Sequence, residues 1–153
     1  MKRHKESDMQ IRLVKWFRVT YPELCFLLEH PHNEGNGLTR SQQIIANREG
    51  VTKGVADLIF HVPSRRHHSL ALELKWGKNT QSKEQKYFQM FFEAAGGKYV
   101  VIRSYDQGVE EVTKYLADVS PNVITRICQV YNQIEKEKQN EALGQLEKLL
   151  NSN

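Results

Sequence analysis

The chain has 153 residues, of which 39% are hydrophobic and 26% are charged, and its formal net charge at pH 7 is +4. This composition excludes a disordered chain and predicts a globular protein with a modest preference for polyanionic partners. Cys25 and Cys128 lie far apart in apolar segments, which predicts reduced core thiols. The sequence has no signal-peptide pattern and no apolar run long enough to span a membrane, so we expect a soluble, cytoplasmic protein.

The first predicted element is a helix that begins at a capping box. Ser7 is the expected N-cap and Gln10 the third helical residue, and the helix should end near Val19, because Pro22 prevents its continuation. Glu6 stands at the helix entrance, where its carboxylate would complement the positive end of the helix dipole.

A strand, a polar loop and a second helix are predicted next. Residues 24–30 are apolar on both faces, which predicts a central strand. His30 and His32 follow, and they are either ordinary loop histidines or metal ligands on a shared face. Thr39 is the expected cap of a helix that extends through Arg48.

A charged hairpin is the most informative part of the sequence. Residues 54–60 and 70–75 are typical of two buried strands, yet each strand carries charge. If Val62 lies opposite Leu70 in an antiparallel hairpin, Lys75 lies opposite Asp57 and Glu73 lies opposite Ile59. The Asp57 and Glu73 carboxylates then share one face as diagonal neighbours, with Cβ atoms about 7–8 Å apart.

This pair of carboxylates indicates a metal site. Two such groups in a partly buried position repel each other unless a cation lies between them, and oxygen ligands suit Mg²⁺ or Mn²⁺. Lys75 would add a positive charge that orients an attacking water or stabilises developing negative charge. The pattern therefore indicates metal-assisted phosphodiester hydrolysis. The structural alternative is a surface salt bridge between Glu73 and Lys75.

The rest of the chain completes a mixed α/β core. Ser82 and Gln85 form a second capping box, followed by an apolar helical stripe of Phe88, Phe91, Phe92 and Ala95. A strand over 98–104 and a helix over 106–118 follow, and Pro121 precedes a long last helix. We predict helices on a mixed sheet in a domain over residues 1–120, and a C-terminal helical extension over 121–153.

These motifs together resemble a known nuclease superfamily. Asp57 followed by Glu73-Leu74-Lys75 is similar to the PD-(D/E)xK pattern, although Ala56 stands where the superfamily has Pro. With Gly54-Val55-Ala56 before it and Ser82-Lys83-Glu84-Gln85 after it, the pattern resembles the virus-type replication-repair nuclease (VRR-NUC) branch. The resemblance covers roughly residues 6–105 and implies a restriction-endonuclease-like core.

The resemblance also implies roles for individual residues. Asp57, Glu73 and the Leu74 carbonyl would bind Mg²⁺ or Mn²⁺, Lys75 would orient or activate water, and Gln85 would point its amide at the site. Glu6 fits a glutamate that joins the metal site in the family, as an alternative to its role at the helix end. The residues expected to contact nucleic acid are Arg40, Arg48, Lys53 and Asn33, although the three basic residues alone could equally form a solvated surface.

The implied function is a metal-dependent DNA endonuclease. By resemblance, it would act on branched, flapped or junction DNA in replication, repair or phage DNA metabolism. A symmetric homodimer would supply two sites for cutting two strands. The alternative is a module on the same fold that binds nucleic acid without cleaving it.

Overall fold

The computed structural model describes residues 2–31 and 39–150 of the chain. It divides into two compact units, residues 1–119 and 120–153. Within residues 2–31 and 39–119, the first unit contains four strands and four α-helices. Their bounds are α1 Lys2–Thr20, β1 Leu28–Glu29, α2 Arg40–Arg48, β2 Leu58–Phe60, β3 Leu70–Leu74, α3 Lys83–Ala94, β4 Lys98–Ile102 and α4 Tyr105–Ala117. This order confirms the predicted mixed α/β core.

The strands form one mixed sheet in the order β1-β2-β3-β4. β1 and β3 both run antiparallel to β2, and β4 runs parallel to β3. In the hairpin, Phe60 lies opposite Leu70 and Leu58 lies opposite Leu72. The predicted register, with Val62 opposite Leu70, was therefore wrong by two residues. Because side chains alternate with a period of two, this shift keeps every side chain on its predicted face.

The two faces of the sheet pack against different helices. On one face, the Phe60 ring lies 5.0 Å from Phe17 of α1 and 6.2 Å from Tyr115 of α4, measured between centroids. On the other face, Ile59, Ala71 and Tyr99 form a buried cluster against Phe88 and Phe92 of α3. Side chains alternate along β3, so Glu73 projects from the same face as Ala71. The charged residues of the hairpin therefore face α3.

The N-terminal helix is longer than predicted. α1 begins at Lys2, so Ser7 lies within the helix and is not its N-cap. Lys5 and Glu6 explain the extension, because both contact the loop after β3. The Lys5 ammonium lies 4.8 Å from the centre of the Trp76 ring, and Glu6 accepts the Trp76 N–H.

The predicted first strand is mostly a 3₁₀ helix. Residues Pro22–Leu27 form that helix, and only Leu28–Glu29 pair with β2, at the edge of the sheet rather than at its centre. Pro22 lies in the first turn, where its fixed φ and missing N–H favour a helical start. Phe26 is 82% exposed while Leu24 is buried. The apolar run therefore places Leu24 in the core and does not form a strand with two buried faces.

Helix α3 confirms its predicted cap but not its whole apolar stripe. Ser82 and Gln85 form the capping box. Phe88 and Phe92 pack on the sheet, whereas Phe91 is 79% exposed. The two free cysteines are half-buried, so they are not the core residues expected.

The second unit consists mainly of α5, Pro121–Leu150. Pro121 is its first residue, a position that tolerates proline because the N–H there has no partner within the helix. Within the helix, Lys138 donates to Glu135 over 2.8 Å and Gln133 donates to Glu137 over 3.1 Å. Across residues 2–31 and 39–150, every helix is too short or too polar to serve as a membrane span.

Candidate active site

Asp57 and Glu73 are neighbours at one end of the hairpin. Asp57 immediately precedes β2, whose first residue Leu58 pairs with Leu72, the residue before Glu73. The Asp57 charge raises the pKa of Glu73, which shows that the two carboxylates lie close together. The sequence prediction had placed Lys75 opposite Asp57. The observed register instead places Asp57 just beyond the Leu58–Leu72 pair, next to the segment that carries Glu73.

Glu73 is a fully buried carboxylate with three hydrogen-bond donors. Its Oε1 accepts from Gln85 Nε2 over 2.5 Å and from Lys75 Nζ over 2.6 Å, and its Oε2 accepts from the Tyr99 hydroxyl over 3.1 Å. The Glu73 side chain is 0% exposed. Burial, and then the Asp57 charge, raise the pKa of Glu73 to about 7, against the opposing effect of Lys75 and Tyr99.

Asp57 is held by the backbone of the neighbouring strand. Its Oδ2 accepts the Leu74 N–H over 2.7 Å. Burial raises the pKa of Asp57, the Leu74 N–H and Lys75 oppose that rise, and the nearby Glu6 carboxylate adds to it. Two acidic groups with raised pKa values therefore lie side by side, which is typical of a functional site.

The backbone of β3 places the Leu74 carbonyl on the Asp57 side. The Lys75 N–H donates to the Ile102 carbonyl over 3.0 Å, so the peptide groups of Lys75 face β4. Adjacent residues in a strand direct their peptide groups to opposite neighbours, and the Leu74 N–H reaches Asp57. The Leu74 carbonyl shares that edge with the Asp57 carboxylate.

Gln85 has a capping role and a site role at the same time. Its side-chain oxygen accepts the Ser82 N–H over 2.8 Å, and its amide nitrogen donates to Glu73. The capping role was predicted from the sequence pattern and the site role from the family resemblance, and one amide group satisfies both because its oxygen and nitrogen face different partners.

Gly54 allows the loop before β2 to lie against the start of α3. Its φ is +84°, in the left-handed region that favours glycine, and a Cβ atom there would overlap the backbone of Glu84 and Gln85. The glycine three residues before Asp57 therefore fixes the distance between that strand and the helix that carries Gln85.

Glu6 anchors the loop that follows Lys75. Its Oε1 accepts the Trp76 N–H over 2.7 Å and the Asn79 side-chain amide over 2.9 Å. Arg103 donates to the carbonyls of Gly77 and Asn79 in the same loop. Glu6 also lies close enough to Asp57 for its charge to raise the pKa of Asp57. The sequence did not reveal its contacts with Trp76 and Asn79.

The predicted nucleic-acid-binding residues are exposed where they are described. Arg40 and Arg48 stand at the two ends of α2. Lys53 lies near the first turn of α3, because its charge helps to lower the pKa of Glu84. The larger causes of that lowering are hydrogen bonds to the Glu84 carboxylate from the Glu84 N–H and from the Ser82 side chain. Asn33 lies outside the described residues.

Tyr99 contributes to the site without having been predicted. It lies opposite Ala71 in the parallel β3–β4 pair, and its hydroxyl donates to Glu73. The available signal was a tyrosine in a Val- and Ile-rich strand, because a buried tyrosine hydroxyl usually needs a partner. His30, which the sequence had left open as a ligand, places Nδ1 2.7 Å from the Asp57 carbonyl, so that nitrogen donates to the backbone.

The donor set fits a hard divalent cation. Asp57 and Glu73 supply carboxylate oxygens, and the Leu74 carbonyl faces the same edge. A cation there would relieve the repulsion that raises the pKa of Glu73. Within residues 2–31 and 39–150, the structure has no cluster of three or more His, Cys, Asp or Glu side chains that could hold a metal. A cation held here would take backbone and water oxygens besides the two carboxylates, which hard cations accept.

The fold has a known counterpart. No family model and no curated protein matches the chain. A solved structure described as a VRR_NUC domain protein superposes with a TM-score of 0.63 and 20% sequence identity, over 75% of this chain and 90% of that one. The chain therefore has the fold of a VRR_NUC domain protein, which confirms the fold that the motif predicted.

Proposed function

We propose that the protein is a Mg²⁺- or Mn²⁺-dependent nuclease that hydrolyses phosphodiester bonds in DNA. The observation that supports this most is the Asp57–Glu73 pair, because two adjacent, largely buried carboxylates destabilise a protein that has no cation to bind. Lys75 and Gln85 converge on the same Glu73 oxygen. The VRR_NUC fold supports the same activity.

Each residue of the site has a specific part in this proposal. Asp57, Glu73 and the Leu74 carbonyl would hold the ion, which would supply Lewis-acid activation of the phosphate and of the attacking water. Lys75 orients that water and stabilises the charge that develops on the phosphate. Gln85 fixes the orientation of Glu73, and Glu6 supports the site through the loop that follows Lys75.

The proposed substrate is branched, flapped or junction DNA in replication, repair or phage DNA metabolism, cut inside a cell by a symmetric homodimer. The exposed cations Arg40, Arg48 and Lys53 would contact the phosphate backbone, with Asn33 as a further contact. Phosphate contacts position the duplex without reading its sequence, which suits selection by DNA structure.

Plasmid cleavage tests the proposal. Supercoiled plasmid should be nicked with Mg²⁺ or Mn²⁺ and remain intact with EDTA. Asp57→Asn and Glu73→Gln should abolish cleavage, whereas Glu110→Gln, a matched change at an exposed pair with Lys114, should leave it unchanged. Activity within tenfold of wild type in either site variant would refute the assignment.

The alternative, a module that binds DNA without cutting it, predicts a different result. Such a protein would shift labelled DNA in a gel but leave plasmid intact with either metal. The proposed nuclease instead requires both binding and metal-dependent cleavage. A panel of duplex, flap, splayed and four-way substrates would then identify the preferred structure.

A further inference from the structure

Two adjoining cavities lie along one side of α1. The first, of about 410 Å³, is lined by residues that include Lys5, Asp8, Trp76 and Asp106. The second, of about 360 Å³, is lined by residues that include Lys15 and Trp16. Both cavities are also lined by Arg12 and Tyr105, so they adjoin at that pair of residues, and we call the two cavities together the α1 groove.

Cations and aromatic rings alternate along the α1 groove. Lys5 Nζ lies 4.8 Å from the centre of the Trp76 ring, and Arg12 Cζ lies 4.4 Å from the centre of the Tyr105 ring. Lys5, Arg12 and Lys15 are exposed, and the Trp76 side chain is 39% exposed. The core packing of α1 does not need these side chains, because Leu13 and Phe17 on another face of the helix supply it.

The groove begins next to the candidate active site. Trp76 directly follows Lys75, and the Trp76 N–H is held by Glu6, whose neighbour Lys5 lies over the Trp76 ring. The α1 groove and the candidate site therefore meet at residues 75–76, where the chain passes from the face of the sheet that carries Glu73 to the side of α1.

We propose that the α1 groove binds an unpaired strand of the DNA substrate, an inference that rests on the proposed nuclease function. Aromatic rings interleaved with positive charge form the usual surface for single-stranded nucleic acid, since bases stack on the rings and phosphates pair with the cations. A paired base cannot reach such rings, because its faces are covered by its neighbours in the stack. The groove thus favours substrates with a single-stranded arm over blunt duplex.

The acidic residues of the first cavity indicate which part of the nucleotide, the base or the phosphate, binds there. Asp8 and Asp106 line it together with Lys5 and Trp76. Carboxylates repel phosphate but accept hydrogen bonds from the N–H groups of bases, which include the N3–H of thymine. The first cavity therefore holds a base stacked on Trp76, and the phosphates lie along the exposed cations of α1.

Binding measured in EDTA tests the groove without cleavage. A fluorescent 15-nucleotide thymidine oligonucleotide and a blunt duplex of equal length are titrated with the wild type and with Trp76→Ala. We expect Trp76→Ala to lose roughly 5- to 150-fold in affinity for the single strand, the cost of one stacked base, and less than twofold for the duplex. Arg12→Gln should weaken single-strand binding and reduce its salt dependence.

Tyr87→Ala is the matched control, because Tyr87 is also an exposed ring, 50% accessible, with Lys83 5.5 Å from its centre. It lies on α3, outside the groove, and should keep wild-type affinity. An unchanged Trp76→Ala protein, an equal loss for Tyr87→Ala, or an equal loss for duplex would overturn the proposal.

A second measurement covers the case in which Trp76→Ala disturbs the loop. The chain has two tryptophans, so Trp16→Phe leaves Trp76 as the single one. Its fluorescence should fall when the thymidine oligonucleotide stacks on it, and unchanged fluorescence at saturation would refute the stacking. Failure of either assay in EDTA concerns the groove alone, whereas intact plasmid in Mg²⁺ concerns the nuclease alone.

Discussion

Replacing Glu73 by glutamine tests whether the buried carboxylate destabilises the metal-free protein when it is charged. Burial, and then the Asp57 charge, raise the pKa of Glu73 from 4.5 to about 7. Between these values the folded protein binds a proton that the unfolded chain releases, so the free energy of unfolding falls as pH rises through this window. In Glu73→Gln, the side chain stays neutral at every pH, and its amide oxygen can still accept from Gln85 and Lys75.

The size of the effect follows from the same pKa. One pKa unit corresponds to about 1.4 kcal/mol, so the interval between 4.5 and about 7 corresponds to about 3 kcal/mol. The Glu73 side chain is 0% exposed, and solvent therefore does not screen this cost. We expect the stability of Glu73→Gln relative to wild type to increase by about 2–3 kcal/mol between pH 5 and pH 9.

Urea unfolding in EDTA at the two pH values measures this change. Comparing the two proteins at each pH cancels any fixed cost of the substitution, and Glu110→Gln serves as the exposed control without such a gain. At pH 8, Mn²⁺ should stabilise the wild type but not Glu73→Gln, because only the wild type offers the carboxylate ligand. A relative stability that is independent of pH, or that falls toward pH 9, would refute the reasoning.

Substitutions at Lys75, Gln85 and Gly54, each with a comparison variant, test the remaining parts of the site. Lys75→Ala should slow plasmid cleavage by roughly 10²–10³-fold, the cost of one electrostatic transition-state contact. Lys75→Arg should not restore the rate, and full activity of that variant would show that Lys75 contributes only its positive charge. Gln85→Glu keeps an acceptor for the Ser82 N–H but places a carboxylate against Glu73, so it should lose cleavage activity. Ser82→Ala removes only the cap, so it should lose about 0.5–2 kcal/mol of stability and stay active. Gly54→Ala should lower the melting temperature more than Gly50→Ala, because both residues have positive φ but a Cβ atom meets neighbouring atoms only at Gly54; equal losses would show that φ alone matters.

Local patterns in the sequence were sufficient to predict the central hairpin, the faces of its strands and the start of α3. Alternation along β2 and β3 placed Asp57, Glu73 and Lys75 on one face, and the capping box at Ser82 located the start of α3. Both signals depend on residues close together in the chain, so they do not require knowledge of contacts between distant segments.

The predictions that failed depend on contacts between distant segments. Nothing within residues 1–10 indicates that α1 starts at Lys2, since that start is stabilised by Lys5 and Glu6 against the loop at Trp76. The hairpin register was wrong because loop 63–69 is too long for a standard turn to fix it. In the structure, the Arg65 N–H bonds to the Asp118 carbonyl, so distant residues help to set the loop.

The environment of Glu73 shows why the site as a whole is a property of the folded chain. Its three donors come from three elements: Lys75 follows β3, Gln85 belongs to α3 and Tyr99 to β4. Only Lys75 is near Glu73 in sequence, so the motif reveals one donor directly. Gln85 reaches the carboxylate because α3 packs on that face, and Gly54 permits the close approach. If the packing of α3 brings Gln85 to Glu73, a side chain at Gly54 that pushes α3 away should weaken the Gln85–Glu73 hydrogen bond, even though Gly54 touches neither carboxylate.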